Sequence, residues 1–262
     1  MTTSDPTGMH DWHSNAYVDE WIESYRERDV ERRATLERIA NLIPFDPDDE
    51  IRVLDVGGGW GPVTSIVLET FPKARVTLHD FSEAMLDAAR KRLANYSDSV
   101  TYVQSDLMSP DWASGLGQYE AVVSSIAIHN VRFPDRIKSI YEEVFPLVAP
   151  GGCFINLDHV ANGKLAARAS RQERLMQRRQ QIFADTGELK PLKDVTIERG
   201  RGGRLNAHAE PSRADIDRIE NHEPATLPNQ LRWLVEAGFD EAECFGREPA
   251  GVLIGAFRAP AS

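Results

Sequence analysis

The residues of this chain whose types and spacing could do chemistry begin at Asp55-Val-Gly-Gly-Gly-Trp-Gly61, a glycine cluster that directly follows an apolar run and is opened by an acid. Glycines at a strand-to-helix turn let the backbone approach a ligand closely, and the helix that follows offers free N–H groups. A dinucleotide fingerprint wants a third glycine three residues beyond the second. Counted from Gly57 and Gly59, that position is Pro62, and the glycines alternate instead as Gly57, Gly59 and Gly61. An acid at Asp55 offers nothing to a phosphate but would pair with an ammonium group. Asp80 ends the next apolar run, where a carboxylate can accept two hydrogen bonds from a ribose diol, and Asp106 follows the run after that. Acids at the carboxyl ends of three successive strands converge on one crevice of an open α/β sheet.

A second set of candidates lies further along. His129 follows the fourth apolar run, and Asp158 and His159 end the fifth, so all three fall on the same rim as general-base or acceptor contacts. His10, His13, His208 and His222 include no pair at the spacing of a helical metal site, and no metal is expected. Cys153 and Cys244 lie in apolar stretches without a CxxC and read as small hydrophobes.

The elements that must position these residues follow from periodicity. Ala16 to Ile43 is helical, with Asp29 a break or cap between two helices, and Asp46 to Glu50 is a connector. Ile51–Val56 reads as a buried strand, Pro62–Phe71 as a helix and Ala74–Leu78 as a strand. A helix capped by Ser82 follows, then strands over Val100–Gln104, Ala121–Ser125 and Cys153–Leu157. The helix carrying Ile137, Ile140, Val144 and Val148 closes at Pro150-Gly-Gly152. This alternation predicts a parallel sheet covered on both faces. After a helix over Thr226–Ala237, strands around Glu243–Phe245 and over Gly251–Phe257 predict an antiparallel hairpin at the sheet edge.

The rhythm breaks between Asp158 and Asn221. A long helix over Gly163–Ala184 precedes Arg199-Gly-Arg-Gly-Gly-Arg204, and from Gly163 to Arg204 there are 11 Lys/Arg against 5 Asp/Glu. The net charge is −11, so the remainder of the chain carries −17. Such a balance argues against binding nucleic acid with the whole surface and leaves a local basic patch open. No apolar run approaches the ~20 residues that span a bilayer, and the first residues lack a basic-then-apolar leader, so no membrane partner and a cytoplasmic location are expected.

Together these segments resemble the class I S-adenosylmethionine-dependent methyltransferases. Val53-Leu-Asp-Val-Gly-Gly-Gly-Trp-Gly61 is similar to their first motif, Asp80-Phe-Ser-Glu-Ala-Met85 to the ribose-binding motif and Ser105-Asp-Leu107 to the adenine-binding one. Ser124-Ser-Ile-Ala-Ile-His-Asn130 resembles the fourth-strand motif, and Leu147-Val-Ala-Pro-Gly-Gly152 the turn before strand five. The resemblance is close over Ile51–Asp158 and looser over Leu231–Phe239 and the last strand.

The resemblance implies a Rossmann-like α/β sheet of order 3-2-1-4-5-7-6 with strand seven antiparallel, N-terminal helices, and a mainly helical insertion after strand five. It implies S-adenosylmethionine as cofactor, with Gly57, Gly59 and Gly61 under its methionine portion and Asp55 near its ammonium group. Asp80 would take the ribose hydroxyls, Phe81 and Met85 would flank the adenine, Asp106 would accept from its amino group, and Leu107 would donate from the backbone. Ser124 and Tyr17 join these contacts, Tyr17 because small-molecule methyltransferases of the trans-aconitate type keep a helix over the cofactor.

The corresponding units are an N-terminal arm (1–50), a cofactor-binding core (51–158), an acceptor cap (159–221) and a completion of the core (222–262). The Asp/Asn-Pro-Pro-aromatic signature of amino-group methylation is absent, and the basic cap favours an anionic small-molecule acceptor, O-methylated rather than N- or C-methylated. Two alternatives stay open: a protein that binds S-adenosylmethionine without transfer, and an RNA methyltransferase using the basic insertion. A homodimer is compatible with the sequence.

Overall fold

A computed structural model describes residues 11–187, 189–191, 195, 213–248 and 251–261. Its elements are α1 (Asn15–Asn41), β1 (Arg52–Val56), α2 (Pro62–Thr70), β2 (Arg75–Asp80), α3 (Glu83–Arg92), β3 (Val100–Gln104), β4 (Tyr119–Ser125) and α4 (Pro134–Val144). They continue as β5 (Val148–Asp158), α5 (Lys164–Thr186), α6 (Arg213–Glu220), α7 (Leu227–Ala237), β6 (Glu241–Glu248) and β7 (Gly251–Phe257).

Side chains of β1 alternate between two cores, as the pleat requires. Val53 joins Ile39, Ile66 and Leu86 on the face covered by α1, α2 and α3. Leu54 and Val56 join Ile140, Tyr141 and Leu234 on the face covered by α4 and α7. Burial on both faces explains the near-continuous apolar runs. The seven strands are ordered β3-β2-β1-β4-β5-β7-β6, the order that the resemblance implies. The five before β6 and β7 pair in parallel, and β7 is antiparallel to both β5 and β6. All acids under discussion therefore emerge at one edge.

The expected division of the N-terminal arm does not occur. α1 runs unbroken through Asp29 for 27 residues, capped by the Ser14 side chain, because nothing between Asn15 and Asn41 is glycine or proline. Val148 opens β5 rather than closing α4, since it pairs with Tyr119 across the sheet. Of the insertion, α5 and α6 are described, whereas the Arg199–Arg204 stretch lies outside the described residues. Arg218 fastens α6 to the start of α4: it donates to Asp135 Oδ2 at 2.5 Å from Nη2, and its guanidinium lies 4.3 Å over the Phe133 ring.

Candidate active site

A cavity of about 780 Å³ opens at the carboxyl edge of β1, β2 and β4, with the first turns of α1 along one wall. Gly57 and Gly59 hold φ of +65° and +55°, a region that disfavours side chains, and a Cβ on Gly57 would stand 2.4 Å from that of Ala127. The loop they form is tied to β2. Gly59 N–H donates to Asp80 Oδ2 at 2.9 Å, Ser82 N–H donates to Asp80 Oδ1 at 2.9 Å, and Gly57 N–H donates to His79 Nδ1 at 3.4 Å.

Asp55 is fully buried at the cavity wall. Thr64 Oγ1 donates to its Oδ2 at 2.7 Å, while its Oδ1 makes no hydrogen bond to the described residues. Burial pushes the carboxyls of both Asp55 and Asp80 up to about 6, and pushes buried His79 down to about 4, which keeps that ring neutral. Two desolvated carboxylates at the cavity wall, one with an unbonded oxygen, suit a ligand that brings a positive charge and hydroxyl donors.

Phe81, Met85, Asp106 and Leu107 line the adjoining wall. Asp106 is exposed and accepts from Met108 N–H at 2.8 Å. Tyr17 lines the opposite side with Trp12 and Trp21, whose rings meet edge to face at 5.3 and 5.2 Å from Trp12. The Ser82 hydroxyl accepts from Met85 N–H at 3.1 Å and donates to the Trp12 carbonyl, so one side chain caps α3 and holds the arm against the cavity.

Two expected cofactor contacts stand elsewhere. Gly61 does not line the cavity: it begins α2, and a Cβ there would meet Leu93 at 2.8 Å, so its smallness serves helix packing. Ser124 is fully buried and donates to the Val56 carbonyl at 2.9 Å, while its neighbour Ser125 faces the cavity, as strand alternation demands.

His129 sits on a short 3₁₀ turn, Ile128–Val131. Ile126 and Arg132 on either side hold φ of +54° and +62°, unusual for residues with side chains and the kind of strain that collects at functional sites. Asp158, buried behind the turn at the end of β5, does not line the cavity. Its Oδ1 lies 2.6 Å from His129 Nδ1, its Oδ2 accepts His129 N–H at 2.9 Å, and Oδ1 also accepts His159 N–H at 2.8 Å. Burial works to lower the His129 pKa, but the charge and hydrogen bond of Asp158 outweigh it and hold the ring above its ordinary value. The His159 ring stands edge-on to it at 4.6 Å, and its own pKa is lowered by burial and by His129. His129 and His159 both face the cavity.

The structure also brings in Glu20, Trp21, Arg32, His79, Asn130 and Arg132, which sequence reasoning did not single out. Tyr17, Trp21 and Ser24 recur at helical spacing, a signal that could have found that stripe. Nothing local marks Arg132. Among the described residues no helix is long and apolar enough to cross a membrane.

Residues 53–152 match the family described as Methyltransferase domain. Over 144 residues the chain is 30% identical to trans-aconitate 2-methyltransferase of Paracidovorax citrulli, covering 55% of this chain and 48% of that protein. Over 107 residues it is 32% identical to a ubiquinone/menaquinone biosynthesis C-methyltransferase of Desulfotalea psychrophila, covering 41% of each. The chain thus spans less than half the length of these curated relatives. In fold it is similar to an O-methyltransferase family protein from Burkholderia thailandensis, with a TM-score of 0.64 at 15% identity, covering 95% of this chain and 62% of that one. It is also similar to human N-acetylserotonin methyltransferase in complex with S-adenosylmethionine, with a TM-score of 0.56 at 12% identity, covering 95% and 57%.

Proposed function

We propose that this chain, whose residues 53–152 match the family described as Methyltransferase domain, is a class I S-adenosylmethionine-dependent methyltransferase that methylates a hydroxyl oxygen of a small, anionic acceptor. The observation that carries this reading is the pairing of His129 with buried Asp158 at the cavity wall. S-adenosylmethionine, when bound, supplies an electrophilic methyl group on a sulfonium. Asp55 would hold its ammonium group, Asp80 its ribose, and Asp106 with Leu107 its adenine, between Phe81 and Met85. The unbonded Asp55 Oδ1 and the two desolvated acids fit such a ligand.

His129, donating Nδ1–H to Asp158, keeps the Nε2 lone pair available to take a proton. A carboxylate acceptor has no proton to give, so this pair would serve no purpose for one; a phenolic or enolic hydroxyl has. Arg32 and Arg132 line the same cavity and would favour an acceptor that also bears a carboxylate. The basic insertion, residues 159–221, would close over it as a cap, with 1–50 as an N-terminal arm and the terminal segment 222–262 completing the core of 51–158.

The test is a panel of acceptors read by release of S-adenosylhomocysteine. Hydroxy acids with an acidic phenol or enol should turn over, and their O-methyl ethers should not. Turnover of dicarboxylates that lack a hydroxyl, with hydroxy acids inert, would overturn this reading.

A further inference from the structure

We propose that Arg136 sets the selectivity of the cavity for an adenine ring, by fixing the backbone of residues 105–109. Arg136 projects from α4 and is itself 8% exposed. Its Nε donates to the Leu107 carbonyl at 2.6 Å and its Nη2 to the Ser109 carbonyl at 2.9 Å. The rest of the guanidinium fork engages Glu143, with Nη1 on Oε1 at 2.6 Å and Nη2 on Oε2 at 2.8 Å. Trp112 Nε1 donates to the same Oε2 at 2.6 Å, and Ser105 Oγ donates to the Trp112 carbonyl at 2.7 Å. The segment is therefore tied to one ion pair, of buried Arg136 and half-buried Glu143, directly at Leu107, Ser109 and Trp112 and through Trp112 at Ser105.

A buried guanidinium is costly unless its donors are met, and here a planar fork spends them on two carbonyls and a carboxylate. Lysine could not reproduce that geometry. Holding the Leu107 carbonyl fixes the peptide plane beside the residues that face the cavity, Asp106, Leu107 and Met108. The inference rests on the proposed reading of Asp106 and Leu107 as the adenine contacts. Adenine offers an amino donor to a carboxylate and a ring-nitrogen acceptor to an N–H. Hypoxanthine reverses both, so a rigid edge rejects it and a loosened edge can re-form around it.

Calorimetry with S-adenosylhomocysteine and S-inosylhomocysteine tests this on the wild type, Arg136→Met and Glu143→Gln. The wild type should prefer the adenine ligand by about 10²-fold or more. Arg136→Met should cut that preference by about tenfold. A merely structural role would weaken both ligands alike and leave the ratio intact. Should Arg136→Met not fold, Glu143→Gln, which removes one acceptor of the fork, should shift the ratio in the same direction. An unchanged ratio in a folded variant overturns the role of Arg136 while the adenine reading stands. No preference in the wild type overturns the adenine reading and this inference with it.

Discussion

Asp158 grips His129 at two points, its Oδ1 2.6 Å from the ring nitrogen Nδ1 and its Oδ2 2.9 Å from the main-chain nitrogen. One carboxylate thus sets both the ring's tautomer and the path of the turn that carries it. The strained residues flanking that turn, Ile126 and Arg132, are held in place by this kind of over-determination.

The pH profile should report this grip. His129 is held above its ordinary value by Asp158 and must be neutral to act, so kcat/KM should fall as pH drops through that raised value. Asp158→Asn removes the raising cause. The acidic limb should then move to lower pH, with the plateau reduced by about 10²-fold or more. For stability the sign is opposite: the pairing stabilises the fold below the ordinary imidazole value of about 6.5 and loses that contribution as pH rises through the raised one. Thermal melts should accordingly show Asp158→Asn costing more at pH 6 than at pH 9.

Removing the ring tests its role directly. His129→Ala should lower turnover about 10²-fold while the cofactor-induced rise in melting temperature persists. His129→Gln keeps a hydrogen-bonding group but should not rescue the rate. Full activity in both variants would exclude His129 and leave His159 as the candidate base.

Asp55 and Asp80 should trade stability against binding. A carboxyl whose pKa rises on folding, here from 3.8 to about 6, favours the fold below about pH 4 and opposes it as pH climbs through about 6. At pH 7 each charged acid costs the ligand-free protein up to about 3 kcal/mol. Asp55→Asn should therefore raise the melting temperature of the ligand-free protein at pH 7 and shrink the further rise produced by S-adenosylmethionine. Asp80→Asn should likewise weaken the cofactor, but without the gain in stability, because both Asp80 oxygens accept backbone N–H groups and an amide would turn a donor toward one of them. A variant less stable than the wild type at pH 7 but equal in cofactor affinity would contradict both assignments.

What could be read without the structure was whatever depends on period and punctuation. Strands ending at Val56, Asp80 and Gln104, the glycine loop, and the edge hairpin of β6 and β7 all follow from local patterns. What could not be read depends on which way a residue faces once strands pair. Ser124 and Ser125 are chemically identical neighbours, and only the register of β4 against β1 and β5 decides that Ser125 meets the cavity. Gly61 belongs to the same alternating series as Gly57 and Gly59, yet it answers to Leu93 at the end of α3. Arg132 reaches the cavity through a left-handed backbone that no neighbour in sequence announces.

The attachment of α6 should govern the acceptor rather than the cofactor. Arg218→Ala removes a half-exposed ion pair and a ring contact, together worth about 1 kcal/mol. It should raise the acceptor's KM severalfold and speed proteolysis within residues 163–221, with cofactor affinity unaltered. Cleavage at the same rate with and without both ligands would show a fixed element.

The hydroxyl of Ser82 serves α3 and the Trp12 carbonyl at once. The bond joins positions 70 residues apart, but α1, β1, α2 and β2 between them are fixed in the sheet and its cores, so opening it frees only the chain around Trp12. Its partner in α3 stays in place, so the cost of release falls almost wholly on the arm. The tie between arm and cavity wall is thus neutral, made of this hydrogen bond and the packing of Trp12 and Trp21 near Trp60 and Met85, so added salt should leave it in place while it loosens the ion pairs elsewhere.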